Sequence, residues 1–151
     1  MTDDIIWWDG KLPDAEALTA MGQPSMAGFM GIEFTEVGPT SVTARMPVNN
    51  RTQQPFGRLH GGASVVLAET VGSVAASRTL DPDRSVGVGM EINANHIRPA
   101  FAGYVHATAE PISLGRSTQI WSIRIVDDAG KLVCVSRLTV AVIAADRGNQ
   151  N

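Results

Sequence analysis

The sequence has few of the features that mark disulfide-rich, metal-binding or nucleic-acid-binding proteins. It contains one cysteine, Cys134, which cannot form a disulfide within the chain and cannot by itself build a structural zinc site. Its 12 Lys and Arg residues are outnumbered by 15 Asp and Glu residues and are scattered singly, so no basic surface for a phosphate backbone is expected. We therefore expect no disulfide framework, no cysteine-based metal site and no nucleic-acid partner.

Long apolar segments and export signals are also missing. The most apolar stretch, residues 132–145, is shorter than the roughly 20 residues that a bilayer span requires, and Ser136 and Arg137 interrupt it. The N-terminus is acidic at Asp3 and Asp4, whereas secretory signals begin with basic residues and continue with a longer apolar run. We expect no membrane contact and a cytoplasmic location.

The chain does contain enough apolar sequence for one compact domain. Its 151 residues fall in the usual size range of a single domain. With 44% hydrophobic and 18% charged residues, it lies well away from the composition of disordered proteins. We predict one domain over residues 1–151, with a short N-terminal arm at 1–12 and a flexible tail at 146–151.

Two segments have helical patterns. Residues 13–21 combine Pro13 in the first turn, acidic residues near the start and Gly22 after the end. Residues 61–80 open with a glycine pair, contain no proline and are longer than a normal strand. Their side chains are apolar on almost all sides, which is typical of a helix buried all round. Other elements must therefore wrap this long helix.

Period-two alternation predicts strands before and after the long helix. They are expected over residues 41–46, 86–94, 103–109 and 121–125. A hairpin turn at 127–130 then predicts a last strand over 131–144, which is apolar on both faces. In the strand at 86–94, the apolar residues Val86 to Ala94 alternate with polar residues and glycines and so share one face. A long buried helix and a run of antiparallel strands predict an α+β fold in which a curled sheet encloses the helix.

The start of the long helix carries the first candidate for chemistry, His60-Gly61-Gly62. A helix N-terminus offers unpaired backbone N–H groups and a partial positive charge, and glycines let a ligand atom approach the backbone closely. These residues could therefore bind an oxyanion. The alternative is that Gly61 and Gly62 only allow a sharp turn into the helix.

Glu69 is the second candidate, since it is the only ionisable side chain between His60 and Arg78. A carboxylate among valine, leucine and alanine side chains is costly unless it is paired or used. The alternatives are a structural ion pair and a glutamate that faces water through a gap in the sheet.

The spacing of these two candidates predicts an oligomer. Gly61 and Glu69 are eight positions apart, so their backbones lie about 12 Å apart along one helix. One carbonyl group cannot easily contact both in a single chain. If the two cooperate, the helix start of one subunit must meet Glu69 of another, which predicts an obligate dimer with shared active sites.

The stretch of residues 54–73, QPFGRLHGGASVVLAETVGS, resembles the hotdog-fold acyl-CoA thioesterases of the PaaI-like and 4-hydroxybenzoyl-CoA thioesterase group. The similarity continues through residues 91–96, 114–117 and 136–139. It implies a hotdog fold, hydrolysis of an acyl-CoA, most simply an aromatic one, and dimers that often form tetramers. It implies no metal and no organic cofactor, because coenzyme A is part of the substrate.

The resemblance also implies roles for individual residues. The carboxylate of Glu69 would attack the thioester carbonyl or activate a water that does. The Gly61 N–H would polarise the carbonyl oxygen. Gln54 and His60 match residues that hold the thioester and its surroundings, and Ser73 matches a position that can orient the hydrolytic water.

Further residues complete the expected substrate-binding set, with Gly62 beside the helix start. Met90 and His96 share a strand face, which places both inward if no bulge intervenes and lets them line the acyl pocket. A hydrogen-bonded core histidine is the alternative for His96. Four residues lie where related enzymes contact the CoA nucleotide, although each could equally be a solvated strand end or turn: Arg98, Arg116, Ser117 and Thr118.

Two other functions remain open on the sequence alone. A hotdog dehydratase or hydratase would act on acyl thioesters, but it would need a histidine paired with an acid across the site. A non-catalytic acyl-CoA binding module would hold the thioester and leave it intact.

Overall fold

The computed structural model describes residues 4–146 and contains three helices and six strands in that range. The helices are α1 (Ala15–Gly22), α2 (Met26–Phe29) and α3 (Gly61–Arg78). The strands are β1 (Glu33–Val37), β2 (Val42–Pro47), β3 (Ser85–His96), β4 (Tyr104–Leu114), β5 (Thr118–Asp127) and β6 (Leu132–Ala144). They form one antiparallel sheet in the order β1-β2-β4-β5-β6-β3.

The sheet curls around α3, which packs against β2, β3, β4, β5 and β6. The inward face is apolar because of period-two alternation, and Val105, Trp121 and Ile123 are fully buried there. Gly72 in the middle of α3 allows close approach to the sheet, since a Cβ at this position would lie 2.8 Å from Leu138 Cδ2. The predicted α+β fold with a sheet around a long helix is confirmed.

The long helix is not buried on all sides within one chain, and this part of the prediction is wrong. Residues 63, 64, 67, 68, 71, 72, 75 and 76 are buried against the sheet. The opposite face, which includes Val65, Glu69 and Ser73, is only half-buried. The reason is that a single curled sheet covers one side of a helix and leaves the other side free.

A bulge in β3 changes which residues of this strand face α3. The pairing with β6 shifts between Gly89 and Glu91. Before the shift, Gly87 and Gly89 face inward, while Val86 and Val88 are 40% and 46% exposed. After it, Ile92 lies opposite the buried Leu138. The prediction of one continuous apolar face over residues 86–94 is therefore wrong, because the extra residue of a bulge reverses the alternation.

The N-terminal part differs from the prediction in detail. Helix α1 begins at Ala15 rather than Pro13, because the Asp14 side chain caps it by accepting a hydrogen bond from the Glu16 N–H. Helix α2 and strand β1 were not predicted from the sequence; the pairing of β1 with β2 also shifts, between Phe34 and Glu36.

The N-terminal arm is anchored against the end of α3. Trp7 is buried and donates a hydrogen bond from Nε1 to the Gly38 carbonyl at 2.9 Å. The Trp8 N–H donates to the carbonyl of Arg78, the last residue of α3. Residues 1–3 of the arm, and all of the predicted tail except Asp146, lie outside the described residues. Within residues 4–146, no helix is both long enough and apolar enough to cross a bilayer.

Candidate active site

A cleft of ≈ 320 Å³ opens at the start of α3. It brings together four residues that the sequence placed in the site, namely Gln54, Gly61, His96 and Arg98. The remaining lining residues come from the loop before α3, from α3 itself, from the segment after β3 and from β6: Arg58, Leu59, Ser64, Ile97, Pro99, Ala100 and Val133. Two arginines and no carboxylate line the cleft, so it favours an anionic ligand.

The first turn of α3 leaves one backbone donor free at this cleft. The Gly62 N–H donates to Nδ1 of His60 at 2.8 Å. The N–H groups of Ala63 and Ser64 donate to the His60 carbonyl at 2.9 and 3.3 Å. Within residues 4–146, the Gly61 N–H has no acceptor. Of the first four donors of the helix, only that of Gly61 can bind a ligand oxygen without breaking an existing bond.

His60 is the N-cap residue of α3. Because its Nδ1 accepts the Gly62 hydrogen bond, the ring proton of the neutral imidazole belongs on Nε2. The backbone N–H of His60 donates to the Thr52 carbonyl at 2.8 Å, which ties the helix start to the preceding loop. The described contacts of His60 therefore serve the helix terminus, and they leave Gly61 as the exposed donor.

His96 lies directly on Gly61. A Cβ built on Gly61 would be 2.8 Å from His96 Nε2, so glycine is required here by close approach rather than by an unusual backbone angle. The bulge of β3 precedes Ile92, and His96 pairs with the buried Cys134, so its ring points toward the helix start. The alternative of a buried core histidine is wrong for the single chain, since His96 is exposed.

Gln54 stands in a tight loop at the edge of the cleft. Its Oε1 accepts a hydrogen bond from the Phe56 N–H. The turn is closed by the Gly57 N–H donating to the Gln54 carbonyl at 3.0 Å, and Gly57 adopts a φ of 83° that favours glycine. Among the described residues, the Nε2 group of Gln54 has no acceptor, so it is available to donate to a ligand.

Glu69 lies outside this cleft, about 12 Å further along α3 by the rise of the helix. It is half-buried where the uncovered face meets strand β3, and no hydrogen bond or ion pair engages its carboxylate in the described part of the chain. Ser73 lies one turn later on the same face. The structural ion pair considered for Glu69 is thus absent between residues 4 and 146.

The remaining predicted residues do not reach the cleft of the same chain. Arg116, Ser117 and Thr118 form an exposed hairpin between β4 and β5, and Thr118 pairs with Ala141 of β6. His96, which lines the cleft, pairs with Cys134 of the same strand. Cys134 and Ala141 are seven residues apart in β6, so the hairpin and the cleft are separated by about 23 Å along the strand. Met90 lies in the bulge and is 65% exposed, so its predicted inward position is wrong for the single chain.

Comparisons with known proteins agree on one family. The sequence pattern of the thioesterase superfamily matches residues 56–134. The 1,4-dihydroxy-2-naphthoyl-CoA hydrolase of Escherichia coli is 50% identical over 136 residues, which cover 90% of this chain and 98% of that protein. The chain belongs to the thioesterase superfamily.

Two further members are similarly related. A proofreading thioesterase of Cronobacter turicensis is 46% identical over 128 residues, covering 85% of this chain and 93% of that protein. The crystal structure of a thioesterase from Haemophilus influenzae superposes with a TM-score of 0.90 at 46% identity, covering 96% of this chain and 99% of that one. The predicted hotdog fold and the prediction of a thioester hydrolase are both confirmed.

Two polar lining residues of this thioesterase were missed by the sequence analysis. Ser64 is buried, lies one turn after Gly61 and faces the cleft. Its spacing of three from Gly61 could have placed it on the same helix face. Arg58 had no comparable signal, because its position depends on the turn of residues 54–58. Among the described residues, no group of three or more potential metal-binding side chains was found.

Proposed function

We propose that this thioesterase hydrolyses the CoA thioester of an aromatic acid, with 1,4-dihydroxy-2-naphthoyl-CoA, an intermediate of menaquinone synthesis, as the first candidate. The name of the Escherichia coli relative supports this acyl group. The observation that carries the chemistry is the Gly61 N–H, which is the one free donor at the start of α3 in the described chain and opens into a cleft without carboxylates. The proposed reaction uses no metal and no organic cofactor.

Gly61 would polarise the thioester. Its N–H would donate to the carbonyl oxygen, and the partial positive charge of the helix N-terminus would stabilise the oxyanion that develops there. The Nε2 group of Gln54, which lines the same cleft, can supply a second hydrogen bond. Removal of one such donor typically costs about 10²- to 10³-fold in kcat.

Glu69 would provide the attacking oxygen or activate it. In one route its carboxylate adds to the carbonyl carbon, expels CoA as the thiolate and leaves an anhydride that water hydrolyses. In the other route it removes a proton from a water that attacks directly. Ser73, on the same face of α3, would orient that water. A single turnover in water labelled with oxygen-18 distinguishes the two routes, because label can enter the Glu69 carboxylate only through the anhydride.

A complete site would require two chains. Gly61 and Glu69 belong to one continuous helix and are about 12 Å apart along it, so one thioester carbon cannot meet both in one chain. Strand β3 is an edge of the sheet and offers 12 residues for pairing with a second copy. The partner would bring its Glu69 to the cleft. A tetramer and a cytoplasmic location remain predictions.

The substrate would extend from this cleft. The acyl group would lie near Gly61, Gly62 and His96, and the pantetheine arm would leave past Arg98. The Arg116-Ser117-Thr118 hairpin lies at the same end of the sheet as Glu69 of its own chain. Val140 of β6 pairs with Gly89, which lies beside Glu69, and on its other side with Gln119, which follows Thr118. That hairpin would contact the CoA nucleotide from the chain that supplies Glu69. Met90, exposed at the edge strand, would reach the acyl pocket only across the dimer interface.

The test is release of CoA thiol from a panel of benzoyl-, naphthoyl- and fatty acyl-CoA substrates. Glu69→Gln keeps the shape and removes the charge, so kcat should fall at least about 10²-fold. Glu36→Gln removes a similar charge from an exposed residue at the opposite edge of the sheet and should leave turnover unchanged. Near-normal turnover by Glu69→Gln, or binding of every acyl-CoA without thiol release, would reject the proposal. A change in an enoyl chromophore without thiol release would indicate a dehydratase or hydratase instead.

A further inference from the structure

Strand β3 carries two inward-facing glycines, and one of them lies against the carboxylate of Glu69. A Cβ built on Gly89 would be 3.0 Å from Glu69 Oε1 and 4.0 Å from Leu138 Cδ1. A Cβ built on Gly87 would instead be 3.0 Å from Val140 Cγ1 and 3.5 Å from Leu80 Cδ1. Both glycines therefore lie on the inward face of β3, and a Cβ at either would come within 3.0 Å of a neighbouring side chain, but only at Gly89 is that neighbour an acid.

The bulge of β3 explains why position 89 faces the helix. The register shift begins immediately after Gly89, so this residue is the last inward position before the alternation reverses. The bare backbone at this point leaves room for a carboxylate oxygen between the strand and α3. In the described part of the chain, no hydrogen bond or ion pair holds Glu69, and its Oε1 lies 3.0 Å from where a Cβ at position 89 would stand.

We propose that Gly89 is a positioning residue for thioester hydrolysis: its missing side chain leaves the space that the Glu69 carboxylate occupies beside the strand. This inference rests on the proposed function, because it assigns Gly89 a role through Glu69. A methyl group at position 89 would displace Oε1 by a few tenths of an ångström or more. Glu69 has a flexible side chain, so this displacement costs little stability. Its cost falls on the alignment between the carboxylate and the thioester carbon, to which rates are sensitive.

The experiment compares Gly89→Ala with Gly87→Ala in the full-length protein. For Gly89→Ala we expect kcat to fall at least about tenfold while KM stays within about threefold, because the misaligned group acts after binding. For Gly87→Ala we expect kcat within about twofold of wild type, since its methyl group meets only Val140 and Leu80. Size-exclusion chromatography with light scattering and thermal unfolding should give the same oligomer and similar stability for both variants.

A double substitution separates a steric effect on Glu69 from a general effect on the strand. Glu69→Asp withdraws the carboxylate by one methylene group, so the methyl group at position 89 no longer meets it. Adding Gly89→Ala to the Glu69→Asp protein should then change the hydrolysis rate by no more than about twofold. The rates are measured in single turnovers at high enzyme concentration.

Several outcomes overturn the inference. These are unchanged kcat in Gly89→Ala, equal losses in both glycine variants, and a loss that accompanies dissociation of the oligomer. The inference is also contradicted if Gly89→Ala lowers kcat by the same factor in the Glu69→Asp protein as in wild type, so that the two effects multiply. The proposed function fails separately, and visibly, if the wild-type protein releases no thiol from any acyl-CoA or if Glu69→Gln retains activity.

Discussion

Replacing Gly61 by alanine adds one methyl group where the cleft, the helix start and His96 meet. The new Cβ would lie 2.8 Å from Nε2 of His96, 3.0 Å from Cε1 and 3.3 Å from Cδ2. Non-bonded heavy atoms of this kind prefer separations near 3.5 Å, so the imidazole or the helix start must shift by about 0.5–1 Å. The backbone itself accepts alanine, because Gly61 is not among the residues with positive φ.

The expected cost falls on catalysis rather than on folding. A misplacement of about 1 Å near the reacting atoms can cost on the order of 100-fold in rate, so we expect kcat/KM to fall about 10- to 100-fold. Alanine is favoured over glycine within a helix by roughly 0.5–1 kcal/mol. This preference offsets part of the steric strain, and the free energy of unfolding should change by less than about 1 kcal/mol.

The assay is CoA release under kcat/KM conditions, with far-UV circular dichroism and thermal unfolding as checks of the fold. His96→Ala provides the matched background, because it removes the ring that the new methyl group meets. In that background Gly61→Ala should change kcat/KM by no more than about twofold. Wild-type activity in the single variant, or an equal loss in both backgrounds, would refute the role assigned to the contact between Gly61 and His96.

Two further predictions concern a helix cap and a surface hydrogen bond. His60→Ala removes the acceptor of the Gly62 N–H and should lower stability by about 1 kcal/mol, a fall in Tm of about 2–4 °C; His60→Asn, which can cap, should recover most of it, and no difference in Tm between the two variants would contradict the cap. On β4, the hydrogen bond from His106 at 2.7 Å, and then that from the Tyr104 N–H, hold the pKa of Asp128 below its ordinary value of 3.8. A lowered carboxyl pKa stabilises the fold above its unfolded value and loses that effect as pH falls through the folded value. Urea midpoints should therefore favour wild type over Asp128→Asn at neutral pH, and the gap should close as pH falls through the folded pKa, which lies below 3.8; a gap that does not change with pH would argue against the hydrogen bond to His106.

Much of the fold could be predicted because its core strands obey simple alternation. Val105 and Trp121 lie on the faces that their spacing predicts, and both are fully buried. Strand β3 deviates because it is an edge strand with a bulge, where glycines face the helix and Val86 and Val88 face outward. A periodicity argument assumes that apolar side chains point to the core, which does not hold for a strand whose outer face and edge are uncovered in one chain.

In the candidate site, too, the features that depend on neighbouring residues could be predicted, and those that depend on tertiary contacts could not. The pattern around Gly61 and Glu69 singled out both candidate groups, since a glycine-opened helix and a lone acid are visible in the sequence. Which N–H stays free was not predictable, because it depends on the ring of His60 accepting from Gly62. Alternation with Ile92 did place His96 on the inward face, but its close approach to Gly61 joins residues 35 positions apart and is not visible in any local pattern.

An antiparallel pairing of two β3 strands would join the separate parts of the site. Along β3, Gly89 marks the end near Glu69, and His96 marks the end near Gly61. A two-fold axis near the middle of the strand reverses one copy relative to the other, so the His96 end of each strand faces the Gly89 end of its partner. The same operation would pair the open backbone edge of β3. The pairing would therefore create two equivalent sites, each combining the Gly61 N–H of one chain with the Glu69 carboxylate of the other, and it would make activity depend on dimer formation.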